Sequence, residues 1–323
     1  MVEVSVEVTN GSGEPIEGAL LEWGYFNSDD YGEGYTGENG VYAFTGVAYG
    51  SLGVDVNKEG YYESSGQLWD GGSMKHPKPP DSFTVELKKI VDPVPMYVKR
   101  VETELPKLNE PVGLDLEKGD WVAPYGKGVT SDWIVLGARR FENWDNFDSR
   151  VSITFNGKHN GIQPHIGSLP RDKGISSQLP SPRMAPSNGY ESRIVFEESR
   201  NPGEPINTYE KENRSYLFRI RTKTRNNEII QASYGRTIGE IRTGATRSDT
   251  ISLYFTYYYN PDPDPENRSL EWNGENLFLQ GLSRSERDHL RSEEGIGYWH
   301  GDLGYPEIPE DRRPKPLPNE DSQ

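Results

Sequence analysis

The chain of 323 residues contains no cysteine. That absence removes a disulfide scaffold, thiolate catalysis and cysteine-ligated zinc or iron–sulfur centres together. Histidine is scarce, with 5 in all, and none is spaced as HxxxH or HExxH. His159 and His165 are the nearest pair and read as two solvated imidazoles in a Gly-containing loop, with a shared metal as the alternative. Hydrophobic residues make up only 33%, and no run approaches the roughly 18 apolar residues that a membrane-spanning helix needs. Met1 is followed by alternating valines rather than by a charged, then apolar, then small-residue leader, so a soluble chain is expected. Positive charge is also short: 35 Lys and Arg stand against 51 Asp and Glu, a net charge of −16. Residues 1–92 hold 16 acidic and 5 basic side chains and so carry most of that excess. Neither part of the chain supplies the cationic footprint that phosphate binding demands, which excludes nucleic acid as an expected partner. No G-x-S-x-G, G-x-G-x-x-G or P-loop signature occurs in a suitable context, which weighs against an enzyme.

What is present begins with Val2, Val4, Val6 and Val8 alternating with polar residues, the period-2 pattern of a strand buried on one face. Gly13-Glu14-Pro15-Ile16-Glu17-Gly18-Ala19 then forms a turn into a second strand ending near Trp23. Thr36 to Phe44 reads as a hairpin around Asn39-Gly40, because Gly40 tolerates the positive φ that such turns require. Leu52-Gly53-Val54-Asp55-Val56 alternates into Gly60-Tyr61, and Thr84-Val85-Glu86-Leu87 closes the series.

The Gly13–Ala19 turn, the Thr36–Phe44 hairpin, Gly60-Tyr61 after an alternating strand and the closing Thr84–Leu87, in that order, resemble the carboxypeptidase regulatory-like domain, a small transthyretin-like β-sandwich, over about residues 1–90. The resemblance implies a non-catalytic spacer or docking module, fused to secreted, periplasmic or cell-surface proteins, and carries no catalytic residue to this chain. Gly- and Pro-rich inserts between Asn27 and Tyr35 and between Gln67 and Asp81 depart from the pattern.

Pro93-Val94-Pro95 reads as a linker, since two prolines extend the chain and withhold ladder donors. The expected organisation is a sandwich over 1–92, a linker over 93–95, an all-β domain of sandwich type over 96–280, and a short helix with a Pro-rich extended tail over 281–323. Strands are expected at Tyr97–Glu102, Trp133–Leu136, Arg150–Phe155, Ser192–Glu197, Tyr216–Thr222, Glu228–Tyr234 and Thr250–Tyr258. Asn156-Gly157 signals a hairpin after the third of these. The longest loop, Gly167 to Gly189, holds Pro170, Pro180, Pro182 and Pro186 and reads as a binding segment or a disordered one. Ser283 and Glu286 have capping-box spacing for the short helix.

Three groups of residues contain the right types for chemistry or binding. Asp115, Glu117 and Asp120 near Trp121, and Glu142, Asp145 and Asp148 among Trp144 and Phe147, supply paired carboxylates of the kind glycoside hydrolysis needs; both read first as solvated loops. Trp121, Trp133, Trp144, Tyr254 and Tyr258 offer flat amphipathic rings on which a glycan could stack, against the plainer reading that they fill or cover a core. Asp262, Asp264 and Glu266 alternate with prolines and present oxygens at spacing two, a possible calcium loop that lacks the Gly and distant Glu of an EF-hand. No cofactor other than calcium is suggested. The expected function is an exported, non-enzymatic binding or structural module directed at a glycan or cell-surface partner. A polysaccharide-acting enzyme with carboxylates in the second domain, and a scaffold or adhesion protein with no small-molecule site, are the alternatives.

Overall fold

The computed structural model describes residues 2–26, 29–47, 51–68, 81–167, 174–211, 213–245, 249–293, 310 and 313–318. The fold is all-β. Two compact units divide the chain: Met1–Pro93 with Gly167–Pro180 and Pro314–Gln323, and Val94–Ile166 with Ser181–Arg313.

In the first unit the alternating valines form β1 (Val2–Asn10). It is followed by β2 (Leu20–Tyr25), β3 (Tyr31–Tyr35), β4 (Val41–Gly46), β5 (Leu52–Asn57), β6 (Tyr61–Tyr62), β7 (Ser64–Leu68) and β8 (Ser82–Lys89). One sheet has the order β4-β1-β8-β6, with β1 and β8 parallel. The other is antiparallel, β7-β5-β2-β3, and gains a fifth strand, β15 (Ile175–Ser177), at its β7 edge. Period-2 patterning points Val4, Val6, Val8, Val85 and Leu87 of the first sheet at Leu21, Trp23, Tyr25, Val54 and Val56 of the second, and these share one core. Trp23 stacks on Phe44 with ring centroids 4.1 Å apart.

Two sequence expectations fail here for identifiable reasons. Asn39-Gly40 does not close a hairpin, because β3 and β4 lie in different sheets and the turn carries the chain across the sandwich. Gly40 (φ +72) passes so close to the Val8 carbonyl and Pro15 that a Cβ would sit 2.7 Å from the former. The long Gly167–Gly189 loop is also not structureless where it is described: residues 175–177 pair with Ser64, Ser65 and Gly66 of β7. A Cβ at Gly66 would overlap the Gly174 carbonyl. Gly66→Val is therefore expected to displace β15 and raise protease cleavage within 174–180 by about tenfold or more, read by fragment mass. Cleavage at the wild-type rate would show that the pairing does not depend on that close approach.

The second unit contains β9 (Val94–Glu104), β10 (Val112–Asp115), β11 (Asp120–Trp121), β12 (Trp133–Asn143), β13 (Asn146–Thr154) and β14 (Gly161–Ile166). After the excursion through β15 come β16 (Arg193–Arg200), β17 (Asn207–Thr208), β18 (Arg214–Arg225), β19 (Glu228–Ala245), β20 (Ile251–Asn260) and β21 (Trp272–Asn276). Val94 and Pro95, read from sequence as linker, open β9. The two sheets run β11-β10-β12-β13-β16-β17 and β14-β18-β19-β20-β9-β21, and enclose a core of Trp133, Val135, Val151, Ile153, Phe196, Phe218, Leu253, Phe255 and Tyr257, among others. Asn156-Gly157 again marks a crossing, since β13 and β14 belong to different sheets. The hairpins lie elsewhere, at Asn143–Asn146 and at Asn226-Asn227, whose φ of 53° and 66° suit a type I′ turn.

The outer face of the second sheet is covered rather than wet. Ala185 and Leu270 pack with Leu217, Ala232 and Tyr234, and Arg219 and Arg236 lie flat over Tyr190 and Tyr258, 4.6 and 4.1 Å from the ring centroids. Residues 181–190 of the long loop provide this cover; Arg219 donates to the carbonyls of His159 and Ser187. Beyond β21, α1 (Arg284–Glu293) starts at a capping box in which Ser283 N donates to Glu286 Oε2 (2.8 Å) and Glu286 N to Ser283 Oγ (3.4 Å). No helix among the described residues is long and apolar enough to cross a membrane.

Candidate functional site

The carboxylates of residues 115–132 converge on one arginine. Tyr216, Phe218 and Ile220 of β18 face the core, so strict alternation would put Arg221 outside. A bulge between Ile220 and Lys223, with Arg221 at φ 55°, turns its side chain inward. There Nε and Nη2 meet Asp132 Oδ1 and Oδ2 at 2.8 and 2.9 Å, Nη2 reaches Asp115 Oδ1 at 3.2 Å, and Nη1 pairs with Glu117. The Asp115 and Asp132 side chains are only 2% and 1% exposed.

These groups also build the loop they stand on. Asp115 accepts the backbone N–H groups of Glu117 and Lys118 on one oxygen and of Val129 and Thr130 on the other. Burial pushes the Asp115 carboxyl up, but the N–H donors of Thr130, Val129 and Lys118, with Arg221, outweigh it and leave it below its ordinary value. Burial prevails at Asp132, which is held above the usual range despite Arg221. From the opposite sheet, Tyr257 donates to Leu116 O (2.7 Å) and Lys99 to Gly119 O (2.7 Å), and in the other direction Trp121 Nε1 donates to Thr103 Oγ1 (3.3 Å). Asp120, expected in the same cluster, instead accepts from Trp121 N and Lys127 N. The arrangement is a fastening between sheets, in which Asp115 and Asp132 face a guanidinium instead of a cleft.

The second acidic group surrounds the tip of the β12–β13 hairpin. Glu142 pairs with Arg140 (3.4 Å) and accepts from Asn146 Nδ2 (2.7 Å), Asp145 pairs with Arg200 (3.2 Å), and Asp148 stands opposite Arg140 in register. A further buried carboxylate, Glu240, was not singled out from sequence. It accepts from Arg214 Nε (2.6 Å) and Lys211 N (3.2 Å) and is bonded to the Tyr216 hydroxyl.

The five aromatic residues expected to stack on a glycan are dispersed. Trp133 is fully buried among Phe155, Phe218 and Phe255, and Tyr258 is buried beneath Arg236 and beside Trp272, so neither offers a ring face to a ligand. Trp121 is buried as well, with its indole N–H spent on Thr103. Tyr254 is half-buried on β20 between Glu102 and Arg242. Trp144 alone is open, 47% exposed at the hairpin tip and edge-on to Phe141.

The expected calcium loop is folded by its own short-range hydrogen bonds. Asn260, Asp262 and Asp264 each bend their Oδ1 back to the N–H two residues on, giving bonds of 3.1, 2.9 and 3.0 Å to Asp262, Asp264 and Glu266. The second oxygen of Asp262 accepts from Asn267 Nδ2 (2.8 Å). Successive Asx turns, not inward-facing ligands, explain the acid–proline alternation, and among the described residues no group of three or more His, Asp or Glu is placed to hold a metal. His159 and His165 are included in that statement.

Among the described residues, an open surface with a defined shape lies on the outward face of the first unit's five-stranded sheet. Gly32 and Gly34 turn toward Trp23 and Tyr42, which leaves Tyr31 and Tyr35 on the outer side of β3, 79% and 68% exposed. Strand register arranges that face in rows: Tyr35, Leu20 and Asn57; then Glu33, Glu22 and Asp55; then Tyr31, Gly24 and Gly53. Among the described residues the three carboxylates have no basic partner. Lys58, near the first row, is committed to the carbonyls of Glu17 and Gly18. A groove of about 470 Å³ follows the second and third rows, and one of about 760 Å³ runs along Leu20, Tyr35, Asn57, Lys58 and Glu59. Sequence alternation foretold Asp55 as an outward residue of β5, whereas β3 lies in the stretch between Asn27 and Tyr35 that reads from sequence as an insert; only the register between strands aligns the acids.

No family model matches the chain, and no curated protein matches it. Among solved structures, a Streptococcal ancillary pilin is similar at 11% identity over 78% of this chain and 58% of that one, with a TM-score of 0.20. This chain thus spans less than two thirds of that protein's length, and a likeness at that score supports no inference about fold or function.

Proposed function

We propose that this chain is a non-catalytic binding or structural module of an exported, cell-surface type, with a carboxypeptidase regulatory-like sandwich as its first unit. The observation that carries the proposal is Arg221. The Asp115 and Asp132 carboxylates of the second unit, the buried pair that an acid–base enzyme would require there, are instead bound to a guanidinium and to backbone N–H groups. Hydrolysis would need one carboxyl protonated and one free beside a substrate cleft.

Trp144 supports the finer reading of a glycan ligand, since an exposed indole can stack on a sugar ring. The test is a glycan array probed with the full chain and with Trp144→Ala. Binding weakened about tenfold or more by the substitution is expected. Undiminished binding would remove Trp144 from the reading, and silence across the array would leave a structural module directed at protein partners.

A further inference from the structure

The strand β15 belongs to the first unit, although its chain neighbours on both sides, β14 and residues 181–190, belong to the second. Its seat is small and well defined. Ile175, Ser176 and Ser177 pair with Gly66, Ser65 and Ser64 of β7, and Gln178 N donates to Glu63 O at 2.8 Å. Beyond the ladder Leu179, 1% exposed, fills a cluster with Tyr62 and Ile90, and Lys88 Nζ donates to its carbonyl at 2.8 Å. Ile175 packs against the main core of the same unit. An extended segment is thus held as in β-augmentation, by main-chain bonds along an edge strand and by pockets for chosen side chains.

Without the segment, β7 would be the edge of its sheet and Tyr62 and Ile90 would lose their cover, and an edge of that kind is a template for another strand. The seat itself fixes which strand fits. Gly66 admits Gly174 so closely that a Cβ would overlap its carbonyl, and the pocket beyond is filled by a leucine. Every copy of this chain carries one such seat and one matching segment. Three ladder positions and one leucine are a limited hold, of the size that opens locally while the rest of a unit stays folded. In an exchanged pair the same contacts form on a second copy, so exchange costs only the association, and concentration offsets that cost.

We propose that copies of this chain join by exchanging residues 174–180, each seating its segment on the β7 edge of the other. The proposal rests on the reading of the chain as a binding or structural module and names its partner as a second copy.

The absence of cysteine makes the test direct. Residues opposite one another in an antiparallel pair have Cα atoms about 4.5–5.5 Å apart, a span that a disulfide bridges. Ser65→Cys and Ser176→Cys therefore put a thiol on the seat and on the segment; both positions are buried, and Ser65 Oγ has no hydrogen-bond partner among the described residues. A full-length chain carrying both should close internally when oxidised dilute, which verifies fold and register. Two chains carrying one each, incubated together at about millimolar concentration and oxidised, should form a covalent dimer linked from position 65 to position 176. It should be about tenfold or more abundant than dimers linked 65 to 65 or 176 to 176. Adding Leu179→Asp to the Ser176→Cys chain should reduce it about tenfold or more. Internal closure without the mixed dimer would overturn the proposal, since the segment would then stay on its own chain. So would a mixed dimer no more abundant than the other two, or one indifferent to Leu179→Asp, because chance collision would account for it. Failure of the doubly substituted chain to close would remove the seat itself. Each of those results leaves the module reading intact, whereas polysaccharide hydrolysis would sink that reading whatever the cross-link does.

Discussion

Arg221→Ala is expected to lower the unfolding free energy of the second unit by about 3–5 kcal/mol, because it leaves carboxylates buried without their counter-charge. Asp115 and Asp132 are almost wholly enclosed, and both meet Arg221 in geometry that no other side chain supplies. For a unit of this size each kcal/mol moves the melting temperature by about 2–4 °C, so a drop near 10 °C should appear in a thermal scan. The deficit should also shrink on acidification. Without the guanidinium, burial raises the Asp132 carboxyl further above its unfolded value, so at that residue the folded chain binds more protons than the unfolded one and gains stability as the pH falls through that window. In wild type the sign at Asp115 is opposite: its folded value lies below the ordinary 3.8, and the stability it contributes is present above that value and lost as the pH drops further. Arg221→Lys should recover little, since an ammonium cannot pair with both oxygens of Asp132 while reaching Asp115. A loss below about 1 kcal/mol for Arg221→Ala would show that the network is no more than a surface ion pair.

Trp133→Ala is expected to cost a similar amount, about 3–5 kcal/mol, through the cavity it opens. The indole stacks on Phe255 at 5.0 Å and meets Phe218 edge-on at 5.4 Å, and among the described residues its Nε1 has no hydrogen-bond partner, so the loss is one of packing. Trp144→Ala, at the exposed hairpin tip, should stay within about 0.5 kcal/mol of wild type in the same denaturant titration. The contrast separates the two roles that sequence could not: both tryptophans are candidates for a sugar platform by residue type, and only burial tells them apart. Equal effects at the two positions would contradict the packing described.

How far the sequence disclosed this architecture depended on the range over which each signal acts. Alternation over a few residues located β1, β5 and β13, each buried mainly on one face, while β-prone bulk located β18, β19 and β20, which are buried on both. Turn chemistry was legible as turns but not as topology. Asn39-Gly40 and Asn156-Gly157 carry the residues of a hairpin, yet the strands they join belong to different sheets, a choice made by packing elsewhere. Arg221 was invisible as a site residue because one bulge inverts its side chain, and nothing in Tyr216–Thr222 announces a bulge. The strand at Ile175–Ser177 was equally hidden; three residues in a proline-rich loop acquire their conformation from β7. Asp115 and Glu117 were found as neighbours in sequence, while Asp132, their partner in space, was missed because it is contributed from the far end of the loop.

The release of reducing ends from a broad polysaccharide panel by the full chain tests the central claim most directly. A non-catalytic module whose buried carboxylates fasten its sheets should release none above buffer. Hydrolysis that disappears in Glu117→Gln while the unfolding midpoint stays at the wild-type value would show that this half-exposed member of the Arg221 network does chemistry, and would contradict the account.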